Sequence, residues 1–314
     1  MKIVRKASLP HADYTGGALT IGNFDGVHEG HQQVLAELIG HAVAVHGPSI
    51  VVTFDPHPRK VLFPQESPRR LCHLHERLAY TAACGVDALF LLHFDHELAA
   101  LQPQQFIEML YKRFAFRHIH IGYDFAFGNQ RSGDVEQLRM LGDELGFMVT
   151  EAGAFEKCGA IVSSSRIRSA IEAADLELAA TLLGRRFSIS GHVGRGDQRG
   201  RALGFPTANL DLRDLVHPPA GIYAVRADSG GEVWDGVAYL GFRPTFSGRT
   251  LVLETHIFDA HPDLYKKRLR VEFGGRVRED RAYRTGAALS RQIEKDCAAA
   301  RMLLQRAATV NGSL

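Results

Sequence analysis

The chain has 314 residues, 37 Lys and Arg against 35 Asp and Glu for a formal net charge of +2, and is 45% hydrophobic and 23% charged. That balance is expected of an ordinary soluble globular protein and excludes disorder as its main state. The near-zero charge supplies no overall attraction to nucleic-acid phosphates. The longest apolar stretch, Ala88–Leu92, falls far short of the roughly 20 residues of a membrane span.

At about 100–200 residues per domain the length predicts two domains. The opening MKIVRKASLP carries basic residues without an apolar signal core, so a cytoplasmic address is expected. Cysteines at 72, 84, 158 and 297 are too scattered for a zinc ribbon and too few for a disulfide framework, and are read as reduced, mostly buried thiols.

Up to about residue 183, apolar runs alternate with helical patterns. Ala18–Ile21, Ile50–Phe54, Ala88–Phe94 and His118–Phe125 read as strands. Val34, Leu35, Leu38, Ile39 and Ala42 recur at helical spacing, as do Phe106, Met109, Leu110 and Phe114, then Val135, Leu138, Leu141 and Leu145. Strands separated by helices imply βαβ units in a doubly wound parallel sheet. Gly184 suits a helix end, and beyond it the pattern changes. Ile222–Ala227, Val233–Leu240, Leu251–Phe258 and Leu269–Val277 follow one another across short turns, which reads as antiparallel β, a small barrel or sandwich. A last helix is expected over Thr285–Ala307. The predicted architecture is an α/β domain over 1–183 and a β domain with a terminal helix over 184–314.

The densest chemical signal is GNFDGVHEGHQ at Gly22–Gln32, between a strand and a helix start. Parallel sheets bind ligands beyond the carboxyl ends of their strands, where helix N–H groups can hold phosphate. On that turn His28 and His31 suit donation to phosphate oxygens; a zinc pair or two core histidines are the other readings, and zinc lacks companion ligands nearby. A second piece, VSSSRIR at Val162–Arg168, puts three hydroxyls and two cations at a helix start. It reads either as plain N-capping or as a clamp for a leaving pyrophosphate.

The ordered pair resembles the HxGH and SSTxIR signatures of the nucleotidylyltransferase superfamily, and specifically the bacterial bifunctional riboflavin kinase/FAD synthetase family. Thr53–Pro58 (TFDPHP) and Gly122–Asp134 (GYDFAFGNQRSGD) extend the resemblance over nearly all of the first domain. It implies an ATP-phosphate site at Gly22, Phe24, Asp25, His28, Gly30 and His31, served by Ser163, Ser164, Ser165 and Arg168. It further implies a nucleotide and flavin lining from His57, Pro58, Asp124, Phe125, Gly128 and Arg131. Ser165 stands where the family carries Thr, and Glu29 puts a negative charge beside the phosphate site.

The second domain opens with GHVGRGDQRGRALGFPTANL at Gly191–Leu210. Its glycines suggest close backbone approach to a phosphate, with Thr207 and Asn209 offering oxygens to a cation; a glycine-rich hairpin is the structural alternative. Along Leu251–Phe258, alternation sends Leu251, Leu253, Thr255 and Ile257 to one side and Glu254 with His256 to the other. Glu254 then reads as a general base or as a solvent-facing carboxylate. The segment resembles the riboflavin kinase family, which implies nucleotide phosphates held at Gly200, Gly204 and Pro206, Mg²⁺ held by Thr207 and Asn209, and Glu254 as catalytic base. Departures are Lys266 for a turn glycine, Asp280 and Tyr283 as conservative exchanges, and Ala282 without the usual charge.

The expected activity is therefore flavin-cofactor synthesis: riboflavin and ATP give FMN in the second domain, and FMN and ATP give FAD and pyrophosphate in the first. ATP is co-substrate and Mg²⁺ the cofactor, with no nucleic-acid, membrane or obligatory protein partner. The rivals are a nucleotidylyltransferase for another phosphorylated substrate and a flavin-binding regulator without turnover.

Overall fold

The computed structural model describes residues 1–4, 14–194, 200, 203–212, 214–245 and 248–311. Their contacts form two compact units, Met1–Arg69 with His73–Ser164, and Arg70–Cys72 with Ser165–Leu314.

The first unit is built on strands β1 (Lys2–Val4), β2 (Ala18–Ile21), β3 (Ser49–Asp55), β4 (Ala88–His93), β5 (His118–Ile121) and β6 (Met148–Glu151). They lie in the order β1-β4-β3-β2-β5-β6, all pairs parallel. A parallel sheet is covered on both faces, which is why β2 is buried at all four positions. Side chains alternate between two cores. Leu19, Ile21, Ile50, Val52, Phe90 and Ile119 pack against helices α5 (Pro103–Phe114) and α6 (Val135–Leu145). Ala18, Val51 and Leu89 pack against α1 (Glu29–Ala44) and α3 (Leu74–Ala83). Short helices α2 (Pro58–Leu62) and α4 (His96–Ala100) and a small hairpin, β7 (Glu156–Lys157) with β8 (Ala160–Ile161), complete the unit. Strand order reverses at β2, whose neighbours are β3 and β5, so the switch-point crevice lies beyond their carboxyl ends.

The strand expected over His118–Phe125 is shorter than the apolar pattern suggested. It ends at Ile121, because Gly122 opens a turn in which Phe125 N–H donates to Gly122 O at 3.1 Å and Tyr123 and Asp124 are exposed.

Helix α7 (Ser164–Glu172) crosses the division between the units, and α8 (Leu176–Leu183) ends on Gly184 at φ +71°. The antiparallel strands β9 (Ser188–His192), β10 (Ala208–Asp211), β11 (Gly221–Ser229), β12 (Glu232–Thr245), β13 (Gly248–Ile257) and β14 (Arg268–Glu279) follow. Their order is β10-β13-β12-β11-β14-β9, and a bridge between Gly194 and Asn209 brings the two edges together, giving a nearly closed barrel rather than a sandwich. Tyr223, Val225, Leu253, Thr255, Val271 and Phe273 are buried; the terminal helix α9 (Gly286–Asn311) lays Ala300 and Leu304 on Ile222, Ala224, Val237 and Phe258. The Asp296 carboxylate on α9 is buried and accepts from Arg278 Nε and Nη2 of β14 at 2.8 and 2.7 Å. The fold is thus a doubly wound α/β unit followed by an antiparallel β-barrel with a terminal helix. Among the described residues no helix is long and apolar enough to cross a membrane. The cysteines are less buried than expected: Cys72 is buried, Cys84 and Cys297 are half-buried, and Cys158 is exposed on the turn between β7 and β8.

Candidate active sites

The turn leaving β2 is the first site's frame. Phe24 and Val27 hold left-handed backbone at φ +49° and +41°, around Gly26 at +81°, and Phe24, Asp25, Val27 and His28 are all buried. Non-glycine residues keep such geometry only where their surroundings over-determine it. His28 then caps α1: its Nδ1 accepts from the His31 backbone N–H at 3.3 Å. An imidazole that accepts at Nδ1 carries its neutral-form proton on Nε2, so His28 is left as an Nε2–H donor. The two rings stack with centroids 3.6 Å apart, and Phe24 meets His31 edge-on at 5.2 Å. Burial, then the nearby His28 and Arg77 charges, hold the His31 pKa well below its ordinary 6.5. His31 Nδ1 is buried with no hydrogen-bond partner. Gly30 sits against this pair, since a Cβ there would lie 3.4 Å from His28 Nδ1 and 3.6 Å from Phe155; Gly22 would meet the Phe24 ring at 3.0 Å.

The segments expected to line this site converge on the same end of the sheet. His57 follows β3 and caps α2, its Nδ1 accepting from Arg59 N–H at 3.1 Å, with Pro58 opening the helix. After β5, Phe125 stacks on Phe127 at 5.2 Å, and Arg131 donates to Asp124 O at 3.3 Å. Gly128, at φ +71°, leaves no room for a Cβ, which would lie 2.7 Å from Pro103. Ser164 Oγ donates to Asp25 O at 3.1 Å, tying the second motif to the first. Ser163 and Arg168 are half-buried and Ser165 exposed, and Arg168 stands four residues past Ser164 on one helix face. Glu29, the charge beside the phosphate turn, is answered by Lys157 of the hairpin at 2.5 Å.

Two further features carry no motif. Arg77 of α3, 7% exposed, donates to Asn23 O and Phe54 O at 2.8 Å each. On the α1 face of the sheet, His118 Nε2, His120 Nδ1 and His41 Nε2 lie 2.7, 2.8 and 3.3 Å from the Thr150 hydroxyl, with the Glu37 carboxylate 2.9 Å from His120. In the sequence, HIHI reads only as a strand. Two alternating histidines on a strand buried on both faces are the signal that the strand faces polar groups on a neighbouring helix.

In the barrel, ladder register sets the second site. Asn209 of β10, Glu254 of β13 and Tyr239 of β12 are direct cross-strand partners, so they form one transverse row on one face. Leu253 and Thr255, on the opposite face, are 0% and 1% exposed, as alternation required. Thr207 Oγ1 lies 3.4 Å from Glu254 Oε2, while the Asn209 amide donates to Thr207 O at 3.2 Å. His256 Nδ1 is 2.9 Å from Pro206 O, holding the turn to β13. Gly200 packs on that turn, where a Cβ would come within 2.4 Å of Phe205 O; Gly204 is left-handed at φ +89°. Residues 195–199, 201 and 202 of the glycine-rich run lie outside the described residues, as do 246 and 247.

The departures also find places. Lys266 adopts φ +61°, the conformation a turn glycine would supply, and its N–H donates to the O of Val193, the residue just past β9, at 3.0 Å. Asp280 accepts from the Tyr239 hydroxyl at 3.2 Å, and the Arg278 guanidinium lies 5.7 Å over the Tyr283 ring. Tyr239 belongs to no sequence motif; its ring lies over Gly241, where a Cβ would fall 2.1 Å from the hydroxyl.

Comparison with known proteins assigns both halves. Residues 11–166 match the FAD synthetase family model and residues 183–304 the riboflavin kinase model. A bifunctional riboflavin kinase/FMN adenylyltransferase from Pseudomonas fluorescens is 41% identical, covering 96% of this chain and 98% of its own. Those from Escherichia coli K12 and Bacillus subtilis are 40% and 35% identical, covering 94% and 88% of this chain and 96% and 89% of theirs. A crystal structure of a Streptococcus pneumoniae protein described as a macrolide-efflux protein superposes with a TM-score of 0.83 at 28% identity, over 94% of this chain and 97% of that one. The chain belongs to the bifunctional riboflavin kinase/FMN adenylyltransferase family, enzymes that use ATP both to phosphorylate riboflavin and to adenylylate FMN.

Proposed function

We propose that the barrel row around Glu254 performs the kinase step and the His28–His31 turn the adenylyl transfer. The observation that carries the first assignment is the register Asn209–Glu254–Tyr239, with Thr207 Oγ1 within 3.4 Å of the carboxylate. Glu254 accepts the riboflavin 5′-hydroxyl proton as that oxygen bonds to the ATP γ-phosphorus and the bond to ADP breaks. Hydroxyl, amide and carboxylate oxygens are the donor chemistry that Mg²⁺ takes, so Thr207 and Asn209 fit as its holders. When bound, Mg²⁺ offsets phosphate charge. Gly200, Gly204 and Pro206 shape the backbone of the nucleotide turn.

In the adenylyl-transfer step, an FMN phosphate oxygen attacks the ATP α-phosphorus and pyrophosphate leaves. The His28 Nε2–H and the neutral His31 donate to phosphate oxygens at the α1 N-terminus, where free backbone N–H groups add to the field. Gly22, Phe24, Asp25 and Gly30 hold that turn in shape. Ser163, Ser164, Ser165 and Arg168 serve the leaving pyrophosphate. His57, Pro58, Asp124, Phe125, Gly128 and Arg131 line the flavin and nucleotide crevice at the strand ends. We place the functional division at residues 1–183 and 184–314, a cut supported by the start of the kinase match at residue 183. ATP as co-substrate of both steps supports a cytoplasmic setting.

Glu254→Gln tests the assignment directly. It keeps size while removing the base, so FMN formation should fall about 10²–10⁴-fold, with FAD formation from supplied FMN unchanged. Normal FMN formation would refute the base; failure with supplied FMN would mean the two chemistries are not separate.

A further inference from the structure

We propose that Arg77 is a positioning residue for adenylyl transfer: it clamps the β2 turn to the end of β3 and thereby holds His28 and His31 in register. The inference rests on the reading of those histidines as the phosphate-facing pair. Arg77 projects from α3, and its guanidinium spans two chain segments, Nη1 donating to Asn23 O and Nη2 to Phe54 O at 2.8 Å each. Asn23 immediately precedes Phe24, the first left-handed residue of the turn, and its carbonyl also accepts from Thr53 Oγ1 at 3.3 Å. Phe54 belongs to the strand that leads to His57 and Pro58. One side chain therefore joins the roots of both segments expected around the nucleotide. The planar fork of arginine suits this span, since its several donors leave one rigid group in different directions.

Arg77 is itself held. Its own backbone carbonyl accepts from Thr81 Oγ1 at 2.8 Å, its N–H donates to His73 O at 3.0 Å, and the neighbouring Leu78 sits in the α1-face core. Burying a guanidinium is costly, so its place under a strained turn rather than at the surface calls for a role. Strained loop geometry persists when packing and hydrogen bonds over-determine it; here the Asn23 carbonyl is the anchored point. The Arg77 charge is also among the causes that keep His31 neutral, which lets the stacked rings approach to 3.6 Å without paired charges.

The test compares Arg77→Met and Arg77→Lys in the full chain. With FMN supplied, Arg77→Met should lower kcat for FAD formation about 10–100-fold, the scale of a sub-ångström to ångström misplacement, while KM for ATP and FMN holds. Arg77→Lys, which restores the charge and a donor, should recover part of that kcat. FMN formation from riboflavin, carried by the barrel, stays at the parent rate as the internal control. An unchanged kcat in Arg77→Met overturns the proposal. So does a loss shared in full by Arg77→Lys and accompanied by loss of hydrogen-exchange protection across the parallel sheet, since that is a purely structural role. If instead His31→Ala leaves FAD formation intact, it is the reading of the histidine pair that fails.

Discussion

The two units prepare phosphate chemistry by different physical means. In the parallel-sheet unit the candidate groups hang on a turn whose backbone is left-handed at two non-glycine positions and whose support is buried in the neighbouring helix. In the barrel Asn209, Glu254 and Tyr239 stand in one row across three neighbouring strands, their positions set by strand register. A turn can carry backbone N–H groups and two imidazoles to one point, but its geometry depends on residues far from that point. A ladder row is rigid by construction, so its side chains act one by one.

That contrast predicts unequal consequences of single changes. His31→Ala removes a donor and half of a stacked pair whose partner caps the helix through the His31 N–H. FAD formation from supplied FMN should fall about 10²–10³-fold, and FMN formation should keep its rate. Equal damage to both activities, measured as initial rates with each substrate, would erase the distinction between the sites. Thr207→Ala and Asn209→Ala should be milder, weakening the kinase step about tenfold or somewhat more as one oxygen is lost from a set. Raising Mg²⁺ should restore part of the rate. A kinase whose Mg²⁺ dependence is untouched by either change would make the Gly200–Asn209 segment only a structural hairpin.

The same contrast explains what was legible in the residues. Glu254 could be placed because period-two alternation is local: Leu253 and Thr255 inward forces Glu254 outward. The histidine pair could be placed because i and i+3 on a helix start share a face. Arg77 could not, because Asn23 and Arg77 are 54 residues apart and meet only through sheet order, which no local period encodes. Lys157 was hidden for a similar reason; the hairpin that carries it has two residues per strand, too short for a pattern. The β5 boundary was overrun because Tyr123 and Phe125 continue an aromatic, strand-like composition past the glycine that ends the strand.

The smallest predicted effect concerns stability rather than rate, and it again separates the units. Among the described residues, the buried histidines His28, His118 and His120 all belong to the parallel-sheet unit. Burial first, then His41 and His120, push the His118 pKa down to about 4; burial likewise lowers His120, against the opposing pull of the Glu37 carboxylate. The facing groups are Glu37 and His41 from α1, His118 and His120 from β5, and the Thr150 hydroxyl from β6. In the unfolded chain the His118 and His120 imidazoles titrate near 6.5, so below that value the unfolded state binds protons that the folded state refuses at these two rings. Folding stability of this unit is therefore full above about pH 6.5 and declines as pH falls toward about 4, by up to roughly 3 kcal/mol for a single group moved that far. Hydrogen exchange followed from pH 7 to pH 4.5, corrected for intrinsic exchange, should show β5 and β6 losing protection while the barrel strands hold theirs. His118→Gln keeps a polar nitrogen near Thr150 without a titrating ring, and should flatten the decline. Protection that stays level in the parent enzyme, or that fails first in the barrel, would mean the histidine cluster does not govern acid stability.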